Sequence, residues 1–348
     1  MKIKIGKKLI SEKSPCFIIA EAGVNHNGSL ELAKKLVDAA KEARADAVKF
    51  QTFTAENVVT ETARMAEYQK KNIGKKKTQL EMIREFELKF EDFAKLKKYC
   101  DNKKIIFLST PHSKDAIDFL NPLVSAFKIG SGDLTNLPFL QKVAKKKKPI
   151  ILATGMSDLA EVKDAVKTIK KAGNNKIILL HCTTNYPCPI EEVNLKAMLT
   201  LKEQFGPLLV GYSDHTDGIN VALTAVALGA WIIEKHFTLD KNLPGPDHKA
   251  SLNPKELKEM VRAIRDIEKA LGHGAKKPFK SEKRIRKLVR KSIIAKTDIL
   301  KGTKILKNTL IIKRPGTGIA PKHLDKIIGK KAKKNIKKDA LIKFKDLS

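Results

Sequence analysis

The chain lacks what a membrane-spanning or secreted protein needs. No apolar run reaches spanning length, and the N-terminal stretch MKIKIGKKLISEKS has no signal-peptide apolar core, so a cytoplasmic protein without a membrane partner is expected. Cysteine is scarce. The four residues, Cys16, Cys100, Cys182 and Cys188, have neither metal-ligand nor disulfide-framework spacing and fall mostly inside apolar strands, as reduced thiols do. A glycine-rich turn after the first strand is also missing, and no topological switch point is visible, which removes the usual support for an open doubly wound sheet. Acidic residues are few, 38 Asp and Glu against 70 Lys and Arg, for a net charge of +32. Such an excess raises nucleic acid as a partner. Its placement argues otherwise: 25 basic and 5 acidic residues lie beyond position 275, where Phe279 and Phe344 are the only aromatics and lysines alternate with Ile and Leu as on strand faces. A solvated basic surface that attracts anionic substrates is expected instead.

What is present is a repeat. At 348 residues the chain can bury one large core and carry an appendage. Residues 1–14 alternate polar and apolar positions around Gly6, which predicts a hairpin acting as a lid over one end of the main domain. From there, apolar strands and amphipathic helices alternate. Eight strand runs are read: Phe17 to Glu21, Ala47 to Gln51, Ile105 to Thr110, Ala126 to Ser131, Ile150 to Thr154, Ile177 to Cys182, Leu208 to Ser213 and Trp231 to His236. This is the arithmetic of a (β/α)₈ TIM barrel over residues 15–275, closed by a helix from Asn253 to Leu271. The long polar loop from Thr54 to Thr78 reads as a lid or binding loop. Residues 276–289 read as a basic linker. Residues 290–348 read as a small β-rich domain with strands Ser292–Ala295, Thr309–Ile312 and Ala340–Phe344, too small to bury much surface without leaning on a partner.

A barrel places its chemistry at the C-terminal strand ends, and polar residues gather there. Glu21, Lys49, Gln51, Thr110, Lys128, Ser131, Asp133, Thr184, Asn185, Tyr186, Ser213, His215, Glu234 and His236 all follow or end an apolar run. His215 and His236 close two consecutive strand units, whose ends lie roughly 5 Å apart if the strands are neighbours. Two neutral imidazoles with open positions suit a catalytic Mn²⁺, Co²⁺, Zn²⁺ or Mg²⁺ rather than a closed structural zinc site. Lys49, Lys128, Thr110, Ser131 and Ser213, with Gly130 and Gly132, supply the point charges, hydroxyls and close backbone approach that a phosphate requires. Among Glu21, Asp133, Asp214, Glu234 and Asp247 the spacing does not choose an acid or a base.

Motifs along nearly the whole chain, including FIIAEAGVNHNG, AEYQKKN, KIGSGDLTNLPFL, HCTTNYPCP, GYSDHT, EKHFTLD, GPDHKAS and KRPGTGIAP, resemble the sialic acid synthase family. The resemblance implies a barrel with a C-terminal antifreeze-like SAF domain in a domain-swapped homodimer. It implies condensation of phosphoenolpyruvate with N-acetylmannosamine, phosphate leaving by C–O cleavage, with a divalent metal, Mn²⁺ first and Mg²⁺ or Co²⁺ as alternatives. On that resemblance His215 and His236 are the metal ligands. Lys49, Thr110, Lys128, Ser131, Ser213 and either Thr184 or Asn185 match phosphoenolpyruvate contacts. Gln51, Asn72, Tyr186 and Asp247, with Glu21, match the sugar site, and Arg314 is delivered from the partner subunit. Glu21, Asp133 and Glu234 are the catalytic carboxylates. Asp133 stands where some members have glutamate, and Ala153 where some have serine. A synthase acting on a diacetamido-trideoxy sugar to make legionaminic acid is the near alternative; AEAGVNHNG and GPDHKAS look less like the pseudaminic branch. A barrel scaffold that binds nucleic acid without catalysis is the alternative from another class.

Overall fold

The computed structural model describes residues 1–67, 69–70 and 77–348. It divides into two compact units, Met1–Gly272 and His273–Ser348.

In the first unit, β1 (Ile3–Ile5) and β2 (Lys8–Ile10) form the expected antiparallel hairpin. Eight parallel strands follow: β3 (Phe17–Gly23), β4 (Ala47–Thr52), β5 (Ile106–Pro111), β6 (Phe127–Ile129), β7 (Ile150–Ala153), β8 (Ile177–Cys182), β9 (Leu209–Asp214) and β10 (Ile232–His236). Each pairs with its sequence neighbour from β3 to β5 and from β6 to β10, and β10 pairs back with β3. β5 and β6 pack side by side and complete the nearly closed TIM barrel predicted from the repeat.

The strands are buried on both faces because helices cover the outside while side chains fill the inside. Ile18, Val48, Leu152 and Leu179 face the helical shell, and the inward set includes Phe17, Ile19, Leu108, Ile151, Ile178 and Leu180. Ile3, Ile5 and Ile10 of the hairpin pack onto that inward set. The hairpin therefore plugs one end of the barrel, leaving the other for chemistry. Helix starts follow the local sequence. Ser29 caps the helix Leu30–Glu42, and Asp158 with Glu161 and Asn253 with Glu256 form capping boxes at Leu159–Lys171 and Pro254–Leu271.

In the second unit β11 (Ser292–Ala295) pairs antiparallel with β12 (Leu310–Lys313). The third expected strand, Ala340–Phe344, is not one. Leu341 makes a single bridge to Ile294, and Phe344–Asp346 is a 3₁₀ turn, so its apolar residues serve packing rather than a ladder. Ile293, Ile299, Ile305, Ile327, Ile336 and Ile342 give the unit its own core. The segment expected as a linker without structure contains a helix, Lys280–Val289, that buries none of its residues. Its three apolar residues, Ile285, Leu288 and Val289, stand among six charged ones.

Candidate active site

The cavity, of about 350 Å³, opens at the C-terminal ends of the barrel strands. Its floor is a cluster of four buried charges. Lys49 Nζ on β4 lies 2.7 Å from Glu21 Oε2 on β3 and 3.7 Å from Glu234 Oε1 on β10. Lys128 Nζ on β6 lies 3.2 Å from the same Glu234 oxygen. Lys49 also donates to Thr110 Oγ1 at 3.0 Å, Gln51 Nε2 donates to Glu21 Oε1 at 3.3 Å, and Ser213 Oγ donates to Glu234 Oε1 at 3.3 Å.

Burial governs the protonation of this cluster. It pushes the Glu21 carboxyl up to about 7, against the pull of Lys49, and Glu234 adds to the rise. For Glu234 burial acts the same way, but Lys128 and Lys49 together override it and hold its carboxyl below the ordinary range. Lys49 stays charged: desolvation is outweighed by Glu21 and Glu234, and its pKa is raised. Oε2 of Glu234 is buried without a hydrogen-bond partner among the described residues, whereas Oε2 of Glu21 keeps Lys49 Nζ at 2.7 Å. An acceptor left so costs free energy unless something donates to it.

Beside the floor stand the two imidazoles, their ring centroids 5.5 Å apart. Adjacent strands β9 and β10 deliver them, as the spacing predicted. His215 Nδ1 is 2.8 Å from the Thr183 carbonyl oxygen and 3.6 Å from Cys182 Sγ. His236 Nδ1 is buried with no hydrogen-bond partner among the described residues, 4.0 Å from Asp247 Oδ2. Burial raises the Asp247 carboxyl to about 6. Tyr186 lies over His215 at 4.1 Å and meets His236 edge-on at 5.4 Å. No set of three or more His, Cys, Asp or Glu side chains converges as a metal site among the described residues. The buried Nδ1 of His236, without a hydrogen-bond partner among the described residues, is the feature of this pair that a bound cation would fit.

Of the residues expected at the site, Glu21, Lys49, Gln51, Thr110, Lys128, Ser131, Thr184, Tyr186, Ser213, His215, Glu234, His236 and Asp247 line this one cavity. Asn185 does not; its Oδ1 accepts from the Tyr186 backbone N–H, so Thr184 is the member of that pair that faces inward. Asp133 sits off the lining, accepting from Asn136 Nδ2 at 3.2 Å. Asn72 lies outside the described residues. Arg314 belongs to the second unit, exposed just after β12. Asp214 and Lys235 point away from the cavity and form a fully buried ion pair of 2.8 Å. His248 bonds Thr238 and Asn27, locking loops rather than meeting a ligand.

Several lining residues carried no sequence signal. His112 extends the cavity wall beyond β5, its Nδ1 3.9 Å from Asp133 Oδ2. Cys182 ends β8, the position that should have marked it; Ser131 Oγ reaches its sulfur at 3.7 Å. Gly155 is required here: a Cβ would come within 2.2 Å of Thr184 Oγ1 and 2.8 Å of Ser131 Oγ. Its N–H donates to Ser131 Oγ at 3.0 Å.

A parallel-stranded barrel with paired imidazoles, buried lysines and carboxylates at its open mouth defines an enzyme. Comparison with known proteins gives the particular kind. The NeuB family model matches residues 36–276 and the SAF domain model residues 290–348. The chain is 53% identical over 326 residues to N,N'-diacetyllegionaminic acid synthase of Legionella pneumophila, covering 92% of this chain and 91% of that one. The enzyme of the same name from Campylobacter jejuni is 51% identical, over 94% of this chain and 98% of its own. The crystal structure of N-acetylneuraminic acid synthetase from Leptospira borgpetersenii, solved with citrate, superposes with a TM-score of 0.72 at 36% identity, covering 82% of this chain and 95% of that one. The chain belongs to the NeuB family of sialic acid synthases.

Proposed function

We propose that this enzyme condenses phosphoenolpyruvate with 2,4-diacetamido-2,4,6-trideoxymannose, forming a legionaminic-acid-type product and phosphate, with a divalent cation on His215 and His236. The carrying observation is the alternation of Lys49 and Lys128 with Glu21 and Glu234 on one buried floor beside the imidazole pair. The two legionaminic acid synthases, at 53% and 51% identity, favour this sugar over the N-acetylmannosamine expected from the sequence. Four buried charges facing a cavity cost desolvation energy that their mutual pairing offsets only in part, and a non-catalytic scaffold has no use for that cost.

The phosphate and carboxylate of phosphoenolpyruvate are held by Lys49 and Lys128, with O–H donors from Thr110, Ser131 and Ser213. A Cβ on Gly132 would meet nothing within 4 Å, so the backbone there leaves room for an anion. C3 of phosphoenolpyruvate bonds to the open-chain aldehyde carbon, water adds at C2, and the bond from C2 to the phosphate oxygen breaks. A divalent cation, when bound, supplies Lewis acidity to the aldehyde oxygen. Glu21, whose carboxyl is pushed up to about 7, and Glu234, whose Oε2 is unpartnered among the described residues, are the groups that hold protons during these steps; Asp133 reaches the cavity only by way of His112. Holding both substrates in line supplies much of the acceleration.

A domain-swapped homodimer belongs to this reading, with Arg314 of the partner completing the sugar site. Its support is the helix Lys280–Val289, which leaves Phe279, Ile285 and Leu288 exposed. Mixing Arg314→Ala subunits with His236→Ala subunits should restore part of the activity.

The direct test is phosphate release. It should require phosphoenolpyruvate, the sugar and a divalent cation together. Mn²⁺ should also raise the Tm of the unaltered enzyme but not that of His236→Ala. Phosphate release that ignores the sugar, or an undiminished rate in His215→Ala and His236→Ala, rules the reading out.

A further inference from the structure

One wall of the cavity has no part in the charge cluster. It is apolar: Val24, Phe53, Val58, Met82, Ile83 and Phe86 all line the cavity, and none is used by the anion or cation chemistry. Val24, Phe53, Met82 and Phe86 form with Met65 a small core separate from the barrel core, and Ile83 packs against it. The wall is set by the helix Gln79–Glu85, held at its start by a Thr78–Glu81 capping box. Gly28 lets the loop after β3 approach that helix, since a Cβ there would sit 2.7 Å from the Glu85 carbonyl oxygen. Two of the six present apolar surface rather than bury it: Val58 is 37% exposed and Ile83 is half-buried.

Resting on the reading above, the geometry points to this wall as the element that selects a deoxygenated sugar. The phosphate end of the cavity is occupied by the lysines and hydroxyls, and the aldehyde must lie at the imidazole pair. Of the remaining lining, which also holds Gln51, Gln69, Tyr186 and Asp247 for the polar groups of the sugar, the apolar wall is the part that can receive the methyl groups on its distal carbons. N-acetylmannosamine carries hydroxyls at C4 and C6, which would lose water against Val58, Ile83 and Phe86 and find no donor or acceptor on those side chains. The trideoxy sugar has a methyl at C6, which gains from burial there, and it can lay its C4 acetamido methyl on the wall with the amide turned to the polar lining. Apolar pockets reject an added hydroxyl by on the order of 100-fold, which sets the scale of the preference.

The experiment compares kcat/KM for the two sugars at saturating phosphoenolpyruvate and Mn²⁺ in the unaltered enzyme, in Val58→Thr and in Val58→Thr/Ile83→Gln. Threonine keeps the shape of valine and glutamine keeps helix propensity, so the KM for phosphoenolpyruvate reports whether the site is intact. The unaltered enzyme should prefer the trideoxy sugar by on the order of 100-fold. The double variant should lower that ratio at least tenfold, mainly through a higher KM for the trideoxy sugar, with Val58→Thr in between. Equal use of both sugars by the unaltered enzyme, or an unchanged ratio in both variants while phosphate is still released, overturns the wall as selector. Release with neither sugar overturns the synthase reading itself, and this inference with it.

Discussion

At the residue scale, what a charged side chain does here depends on which face of its strand carries it. Glu234 and Lys235 are sequence neighbours, yet Glu234 faces the cavity while Lys235 is fully buried against Asp214, with a second bond to the Thr216 carbonyl oxygen at 2.5 Å. Asp214 in turn accepts from the N–H and hydroxyl of Thr216. The pair ties the ends of β9 and β10 together and thereby fixes the two histidines. Removing one partner strands a buried charge, so Asp214→Ala should destabilise the protein by about 3–5 kcal/mol, measured by denaturant unfolding. The Glu21 carboxyl, which burial raises to about 7, couples to substrate with a definite sign. Above that pH it is ionised and competes for Lys49. As pH falls through about 7 it takes up a proton, Lys49 is released, and an anion binds more tightly. Phosphoenolpyruvate binding should therefore be accompanied by proton uptake near pH 7, seen by calorimetry in buffers of different ionisation enthalpy, and Glu21→Gln should remove that uptake. None of this was legible beforehand. The strand ends could be read from apolar runs, but the pairing of Asp214 with Lys235 needed the register of β9 against β10.

Elements were more legible than residues. Period-two and long apolar runs bounded by turns put each barrel strand within a few residues of its place, because strands buried on both faces must be apolar throughout. The hairpin was legible too, and Ile5, fully buried on the inward residues of the barrel, gives its function a test. Ile5→Ala should cost about 2–5 kcal/mol without altering the KM of either substrate, since it acts at the end remote from the mouth. The helix Gln79–Glu85 went unread. Its seven residues are too few to be helical alone, so its capping box, its packing on Phe53 and Met65 and the Arg84–Glu56 pair hold it. Thr78→Ala removes the cap, worth about 1 kcal/mol, and should raise the KM for the sugar about fivefold while leaving that for phosphoenolpyruvate unchanged. The helix Lys280–Val289 escaped for a different reason: its apolar positions Ile285, Leu288 and Val289 have the helical spacing, but six charges in ten residues made the segment read as a linker.

For the whole molecule, the sequence could say that one large barrel and one small β-rich unit exist, because each announces itself by composition and repeat. It could not say which acylated sugar is used. That choice rests on apolar residues from three separate segments, Val24, Phe53 to Val58, and Met82 to Phe86, which converge only after folding. The motifs that carry the family resemblance include sugar-site positions such as Tyr186, Asp247 and Arg314 and look less like the pseudaminic branch, but they do not tell N-acetylmannosamine from a diacetamido-trideoxy acceptor. The excess of positive charge also acts at this scale. Raising ionic strength should weaken phosphoenolpyruvate capture through kcat/KM more than it alters kcat, because screening reduces long-range attraction of an anion without touching the buried floor.

The most direct measurement is mass spectrometry of the product formed from phosphoenolpyruvate and 2,4-diacetamido-2,4,6-trideoxymannose with Mn²⁺. The account predicts a nine-carbon 2-keto acid bearing both acetamido groups, with one phosphate released per product. Recovery of both substrates unchanged, from this sugar and from N-acetylmannosamine alike, would contradict it.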